Sequence, residues 1–154
     1  MCAGQVWGRH RKENEWHCQG AGNDRGAGIG WITVKRGNGY QVVHRDELER
    51  TGGWSLVRRT LGCQAFGINL VEIEPDGQIP EHDEVERDQE ELFFVLEGDA
   101  TLVIDGEEVP APAGTFARLD PEPLRTVRNR GAETTSVLIV SAPRTSGYEP
   151  MGWA

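Results

Sequence analysis

The chain has 154 residues, 37% of them hydrophobic, and a net charge of −9. That length suits one domain plus an extension, with enough material for a core that needs no disulfide or metal as a staple. The acidic balance without a basic stripe argues against nucleic acid and against an anionic membrane surface as partners, and no apolar run approaches membrane-spanning length.

Charge is unevenly spread. Residues 1 to 36 carry six Lys/Arg and three acids, leaving ten basic and 22 acidic residues in the remainder. The shift marks a boundary near Gly37, with a Gly-rich basic extension over 1–37 and a domain over 38–154. The extension shows no sustained period. It has much backbone entropy and little apolar area to offset it, so it is expected to be disordered or loosely draped. Its GxGxxG-like echo, Gly20 to Gly26, follows no strand signal and reads weakly as a dinucleotide site. Cys2, His10, His17 and Cys18 match no zinc spacing. With Cys63 the cysteines make an odd, scattered set, unlike a secreted disulfide framework. No leader pattern opens the chain, and a cytoplasmic protein is the expectation. A native start near Val34 is a further expectation. The next methionine is Met151, so such a start needs a non-Met codon, and N-terminal sequencing that finds Met1 or Cys2 refutes it.

From Tyr40 the pattern changes. YQVVHRDELER reads as a short strand and a helical turn around Asp46 to Arg50, broken by TGG. WSLVRRTL and FGINLVEIE both alternate as strands do. Arg58 and Arg59 then fall on opposite faces, one of them inward, and Phe66, Ile68 and Leu70 form an alternating set. Pro75-Asp76-Gly77 is a turn, with Pro setting its first central position. ELFFVLEG and ATLVI are β-rich, and Asp105-Gly106 is the strongest hairpin signal, because a type I′ turn needs positive φ at both central residues. VPAPAGTFARL is a strand interrupted by prolines and belongs at an edge or corner. LRTVRN and TSVLIVS are two more strands, and RTSGYEPMGWA is a tail in which Tyr148 and Trp153 pack or close a barrel mouth. Many short strands, regular turns and almost no helix predict an all-β sandwich or barrel.

Two blocks carry a resemblance. The first runs from Gly77 through Pro80-Glu81-His82 to Glu91-Leu92-Phe93-Phe94-Val95-Leu96-Glu97-Gly98, and the second holds Gly106, Pro112 and Gly114. They resemble the cupin superfamily, whose blocks run G-x5-H-x-H-x3,4-E-x6-G and G-x5-P-x-G-x2-H-x3-N. The E-x6-G half fits at Glu91 and Gly98. The gap from Gly77 to His82 is one residue short, and the loop before Glu91 is longer than the pattern. The resemblance covers roughly residues 40 to 143 and implies a jelly-roll barrel, a cupin-type double-stranded β-helix. In metal-binding cupins three histidines and a glutamate converge on the metal. The matching positions here are His82, Glu84 in place of the second histidine, Glu91, and Ala117 in place of the third. No histidine follows His82.

The chemistry leaves three readings open. His82, Glu84 and Glu91 offer one nitrogen and two oxygen donors to a divalent ion such as Mn, Fe, Zn or Ni, which implies an oxygenase or isomerase. Against that, Arg125 would repel a metal and would pair with a carboxylate or bind a ligand carboxylate. That motivates a barrel binding a small polar or anionic molecule without metal, with Arg125, Glu91, Phe93 and Asn69 as ligand contacts. The third reading is a non-catalytic interaction barrel that pairs as a homodimer through an outer sheet. Asp83, Glu86, Asp88 and Glu90 read as a solvated loop. Glu91, opening an apolar strand, needs a partner if it is buried.

Overall fold

The computed structural model describes residues 35–152. The chain divides into two units, Met1–Trp31 and Ile32–Ala154, and the described residues lie in the second. The glycine echo, the Cys2/His10/His17/Cys18 set and Trp153 fall outside them.

The first strands, β1 (Lys35–Gly37) and β2 (Tyr40–Val42), form a hairpin. Residues 35–37, read from the sequence as part of the extension, are thus paired. A 3-10 turn over Arg45–Glu47 falls at the expected helical turn, with His44 as its N-cap. Short strands β3 (Arg50–Thr51) and β4 (Trp54–Ser55) follow. The strand expected over WSLVRRTL stops at Ser55, and Val57–Leu61 is a helix, α1. Thr60 explains the switch: its N–H and its hydroxyl both donate to Leu56 O, at 2.9 Å each. Gly62, at φ 69, ends the helix in the left-handed conformation that glycine adopts freely. Arg58 and Arg59 are therefore the exposed residues of a half-buried helix, and neither points inward.

The remaining strands are β5 (Gly67–Ile73), β6 (Gln89–Glu97), β7 (Asp99–Ile104), β8 (Glu107–Pro112), β9 (Phe116–Leu119), β10 (Arg125–Asn129) and β11 (Thr135–Pro143). One sheet has the order β3-β4-β5-β11-β6-β9, another β10-β7-β8, and all the pairings are antiparallel. Asp105 and Gly106 both have positive φ, 50° and 84°, as the β7–β8 turn requires. At Pro75-Asp76-Gly77 the positive φ falls on Asp76 instead, at 60°. The proline-bearing β8 and its neighbour in sequence β9 are both edge strands, where a missing N–H costs no ladder bond.

The inner faces meet in one core of Val71, Ile73, Ile79, Phe93, Val95, Leu102, Val127, Val137 and their neighbours. Register fixes which residues look inward. Val71 lies opposite Val137, which lies opposite Val95. In β5 the inward set is therefore Asn69, Val71 and Ile73, because alternate residues share a face. Ile68 and Leu70, singled out in the sequence, lie on the opposite face, where Leu70 is nonetheless buried, and Phe66 is exposed before the strand begins. No helix among the described residues is long and apolar enough to cross a membrane.

Candidate functional site

The site is built where the segment after β5 runs alongside β10. Gly77 O accepts from the Asn129 N–H, the Ile79 N–H donates to Val127 O, and His82 and Arg125 exchange both backbone hydrogen bonds. Between the bridges Gln78↔Arg128 and His82↔Arg125, the first segment holds one residue more than β10. This is a bulge at Pro80-Glu81. A one-residue slip turns every following side chain to the opposite face. Ile79 faces the core; without the extra residue Glu81 would be the next to do so, and with it His82 takes that place.

Arg125, Val127 and Asn129 are the inward residues of β10, and Glu91, Phe93 and Val95 those of β6. Arg125 is fully buried. Its Nε and one terminal nitrogen both donate to Glu91 Oε2, at 3.0 and 2.7 Å. The other terminal nitrogen donates to the carbonyl oxygens of Pro121 and Pro123, each at 3.0 Å. Pro121 O also accepts from the Glu84 N–H. His82 Nε2 lies 3.4 Å from the same Glu91 oxygen, and its Nδ1 lies 2.9 Å from Pro80 O. Two acceptors flanking one ring favour the doubly protonated imidazolium, which donates to both. Accordingly the hydrogen bond to Glu91 raises the His82 pKa, with Pro80 O adding to it, against burial and the Arg125 charge. Burial pushes the Glu91 carboxyl upward, yet the hydrogen bonds from His82 and Arg125 outweigh it and hold the group below its usual range.

In a continuous strand Glu84, two residues on, would share a face with His82. The chain instead leaves the strand at Asp83, whose carboxylate accepts from the Val85 N–H, and Glu84 caps a 3-10 turn over Val85–Arg87. The turn still carries Glu84 inward, where it is buried, with both carboxylate oxygens 3.2 Å from one Arg87 nitrogen. Donor atoms of His82, Glu84 and Glu91 all lie within 4.8 Å of one another.

The other sequence candidates fall as follows. Phe93 has no exposure and belongs to the core beneath the site. Asn69 is half-buried, in one cross-strand row with Ile139, Phe93 and Ala117. Ser141, opposite Glu91, and Ile104, opposite Arg125, are also half-buried. These inward positions are more open than Val95, Ala111 and Val137 at the far end, so the charged cluster sits towards the open mouth of the barrel. Asn129 is a structural pin. Its Nδ2 donates to Ile73 O and Glu133 O, and its Oδ1 accepts from Gly131 N. Sequence reasoning missed the carbonyls of Pro121 and Pro123 and the link from Arg144 to Asp88, at 2.8 Å through Nε, which fastens the end of β11 to the loop before β6. The one available signal was the proline pair of DPEPLR, which holds two carbonyls beside an arginine.

Residues 69–141 match the model of the cupin domain family. A cupin protein from Bacteroides fragilis is similar at 18% identity and a TM-score of 0.63, over 75% of this chain and 92% of that one. A sugar phosphate isomerase from a cupin superfamily, from Silicibacter pomeroyi, is similar at 26% identity and a TM-score of 0.52, over 58% of this chain and 59% of that one. A predicted oxalate decarboxylase from Thermotoga maritima aligns at 18% identity and a TM-score of 0.57, over 66% of this chain and 98% of that one. No curated protein sequence gives a match. The fold is the cupin jelly roll, and residues 69–141 form its cupin domain.

The family implies a divalent metal, and the donor set tests whether these residues suit one. A His/Glu/Glu group is present. Glu91, however, already accepts two hydrogen bonds from a buried guanidinium, Glu84 is held by a second guanidinium, and His82 is drawn to its protonated form, which is no ligand. A transition ion does not fit this arrangement as it stands.

Proposed function

We propose that the protein binds a small anionic molecule at the mouth of its barrel, without a metal. One observation carries the reading. His82 is held by Glu91 towards its cationic form while about a third of its side chain, 32%, remains exposed. Beside it, Arg87 and Arg125 engage the carboxylates of Glu84 and Glu91, so both buried acids of the cluster are already paired with cations. Asn69 and Ser141 on the same inner face supply uncharged polar groups. The Silicibacter pomeroyi neighbour, described as a sugar phosphate isomerase, makes phosphorylated sugars the first compounds to try. Arg125 does not serve as a ligand contact in this reading, since four hydrogen bonds engage it inside the protein. The test is calorimetric titration at about pH 6, near the titration range of a histidine, with phosphorylated sugars, small carboxylic acids and neutral sugars. The reading requires an anion that binds to wild type and is lost in His82→Gln. Anions bound equally well by both proteins, or by neither, would refute it. A cytoplasmic location goes with such a ligand class.

A second reading, pairing of two copies, is favoured by the outer face of the larger sheet. Leu92, Leu96 and Phe116 are 39%, 40% and 65% exposed. Phe116 stacks on Phe94 with ring centroids 4.1 Å apart. In register, Leu92 adjoins Val140 and Phe94 adjoins Leu138, which extends the apolar strip over three strands, and Arg118 with Glu90 and Asp120 gives its rim charges of both signs. An apolar strip with a rim of both charges is the kind of face that two copies can share about a two-fold axis. Sedimentation equilibrium should find a dimer that Phe116→Asp dissociates; a wild type that stays monomeric at all concentrations removes this reading.

A further inference from the structure

We infer that Arg125 is the resident cation of the barrel: its guanidinium stands where a divalent ion would be held by His82 and Glu91, and this one side chain keeps the site closed to metals. The inference rests on the geometry of the site and is independent of which ligand the mouth takes.

Three observations converge. First, the donors are there. Atoms of His82, Glu84 and Glu91 lie within 4.8 Å of one another, only slightly wider than the about 4.4 Å that two bonds of about 2.2 Å to one ion can span. Second, the position is taken. Arg125 has no solvent exposure, and its Nε and terminal nitrogen converge on Glu91 Oε2 at 3.0 and 2.7 Å. An ion bound to that oxygen would share it with a fixed positive charge at contact distance, which no change of pH relieves, since the guanidinium does not deprotonate. Third, the place of Arg125 is set by the backbone. His82 and Arg125 exchange both backbone hydrogen bonds, at 3.0 and 2.9 Å, so they are directly opposed and their side chains leave on the same face. A different side chain at position 125 would stand beside the imidazole and above Glu91.

The remaining contacts explain why the cation is a guanidinium. A bound ion organises loops by gathering ligands from several segments. Arg125 does the same with its fork of donors, joining β6 through Glu91 to the loop before β10 through Pro121 O and Pro123 O. Pro121 O is in turn bonded by the Glu84 N–H, so one side chain fixes both loops that frame the mouth.

The experiment compares wild type, Arg125→His and Arg125→Gln by calorimetric titration with zinc chloride, and by visible absorption with cobalt chloride. Arg125→His sets two imidazoles on directly opposed positions next to Glu91, while Arg125→Gln keeps a donor for Glu91 and drops the charge. Wild type should show no saturable zinc site. Arg125→His should bind one zinc at least about a hundredfold more tightly than wild type, give a cobalt adduct with ligand-field bands, and lose both when His82 is also replaced by Ala. Arg125→Gln should fall between the two. A wild type that holds one zinc as tightly as Arg125→His overturns the inference, as does a folded Arg125→His or Arg125→Gln that gains nothing over wild type. If Arg125→His melts without cooperativity when metal-free, zinc should restore the transition, and failure to restore it counts equally against the inference.

Discussion

Replacing Arg125 by methionine removes the charge and the fork while keeping most of the volume. The structure allows the cost to be apportioned. Four hydrogen bonds disappear, two to Glu91 and two to backbone carbonyls. Pro121 O retains its bond from the Glu84 N–H. Pro123 is only half-buried, so water can reach its carbonyl. The loss therefore concentrates on Glu91, a carboxylate at 5% exposure left with His82 as its only charged partner among the described residues. Stranding one member of a buried ion pair costs about 3–5 kcal/mol. At roughly 3–5 °C per kcal/mol for a domain of this size, melting should fall by about 9–25 °C. Adding Glu91→Gln relieves the stranded charge and should recover much of the loss, because contacting residues are coupled and their costs do not add. Urea denaturation of wild type, both single variants and the double variant supplies the cycle. A methionine variant within about 1 kcal/mol of wild type would refute the reasoning, since the net worth of an exposed pair is no more than that.

Other outcomes follow from the same geometry. The folded pKa of His82 is raised above its ordinary 6.5, so the contribution of the His82–Glu91 contact is fully present below that value and fades as pH rises through the folded pKa. The Glu91 pKa is lowered from 4.5, so its share is present above 4.5 and fades as pH falls through the folded value. The stability gap between wild type and His82→Gln, measured by urea melts across pH, should thus peak near about pH 5–6 and shrink towards about pH 9; a gap that grows with pH contradicts the pairing. Gly98→Ala should destabilise by about 2–4 kcal/mol, because its φ is 83° and an added Cβ would meet Thr135 Oγ1 at 2.6 Å; a neutral result by thermal melting would contradict the turn. Asn129→Asp should cost more than Asn129→Ala, since a buried carboxylate would face the Ile73 and Glu133 carbonyls that now accept from Nδ2. The reverse order in denaturant melts would remove the pin assigned to it.

What was readable in the sequence was local. ELFFVLEG became β6 with Glu91, Phe93 and Val95 inward because alternation and β-propensity agree there, and the positive φ demanded at Asp105-Gly106 left few alternatives. The helix α1 was not readable as such: WSLVRRTL alternates well enough for a strand, and only the Leu56–Thr60 bonds and the Gly62 cap decide against it. The inward face of β5 was not readable because both of its faces are apolar. Ile68 and Leu70 lie on the opposite face, and only the pairing with β11 shows which set enters the core. At the site, the presence of Arg125 near Glu91 was anticipated, but its full engagement was not. Its partners lie 34 residues upstream and in the loop immediately before it, and no period in the sequence reports such a convergence. The bulge at Pro80-Glu81 was equally silent. It leaves one inserted residue as its trace, yet it decides whether His82 or Glu81 faces the interior.

The measurement that bears most directly on a barrel run by a guanidinium in place of a metal is the metal content of the full-length protein, purified without chelators and read by plasma mass spectrometry, with melting followed before and after chelation. The account predicts less than about 0.1 equivalent of any divalent transition ion and an unchanged melting temperature. Close to one equivalent of a single ion, lost on chelation together with stability, would contradict it.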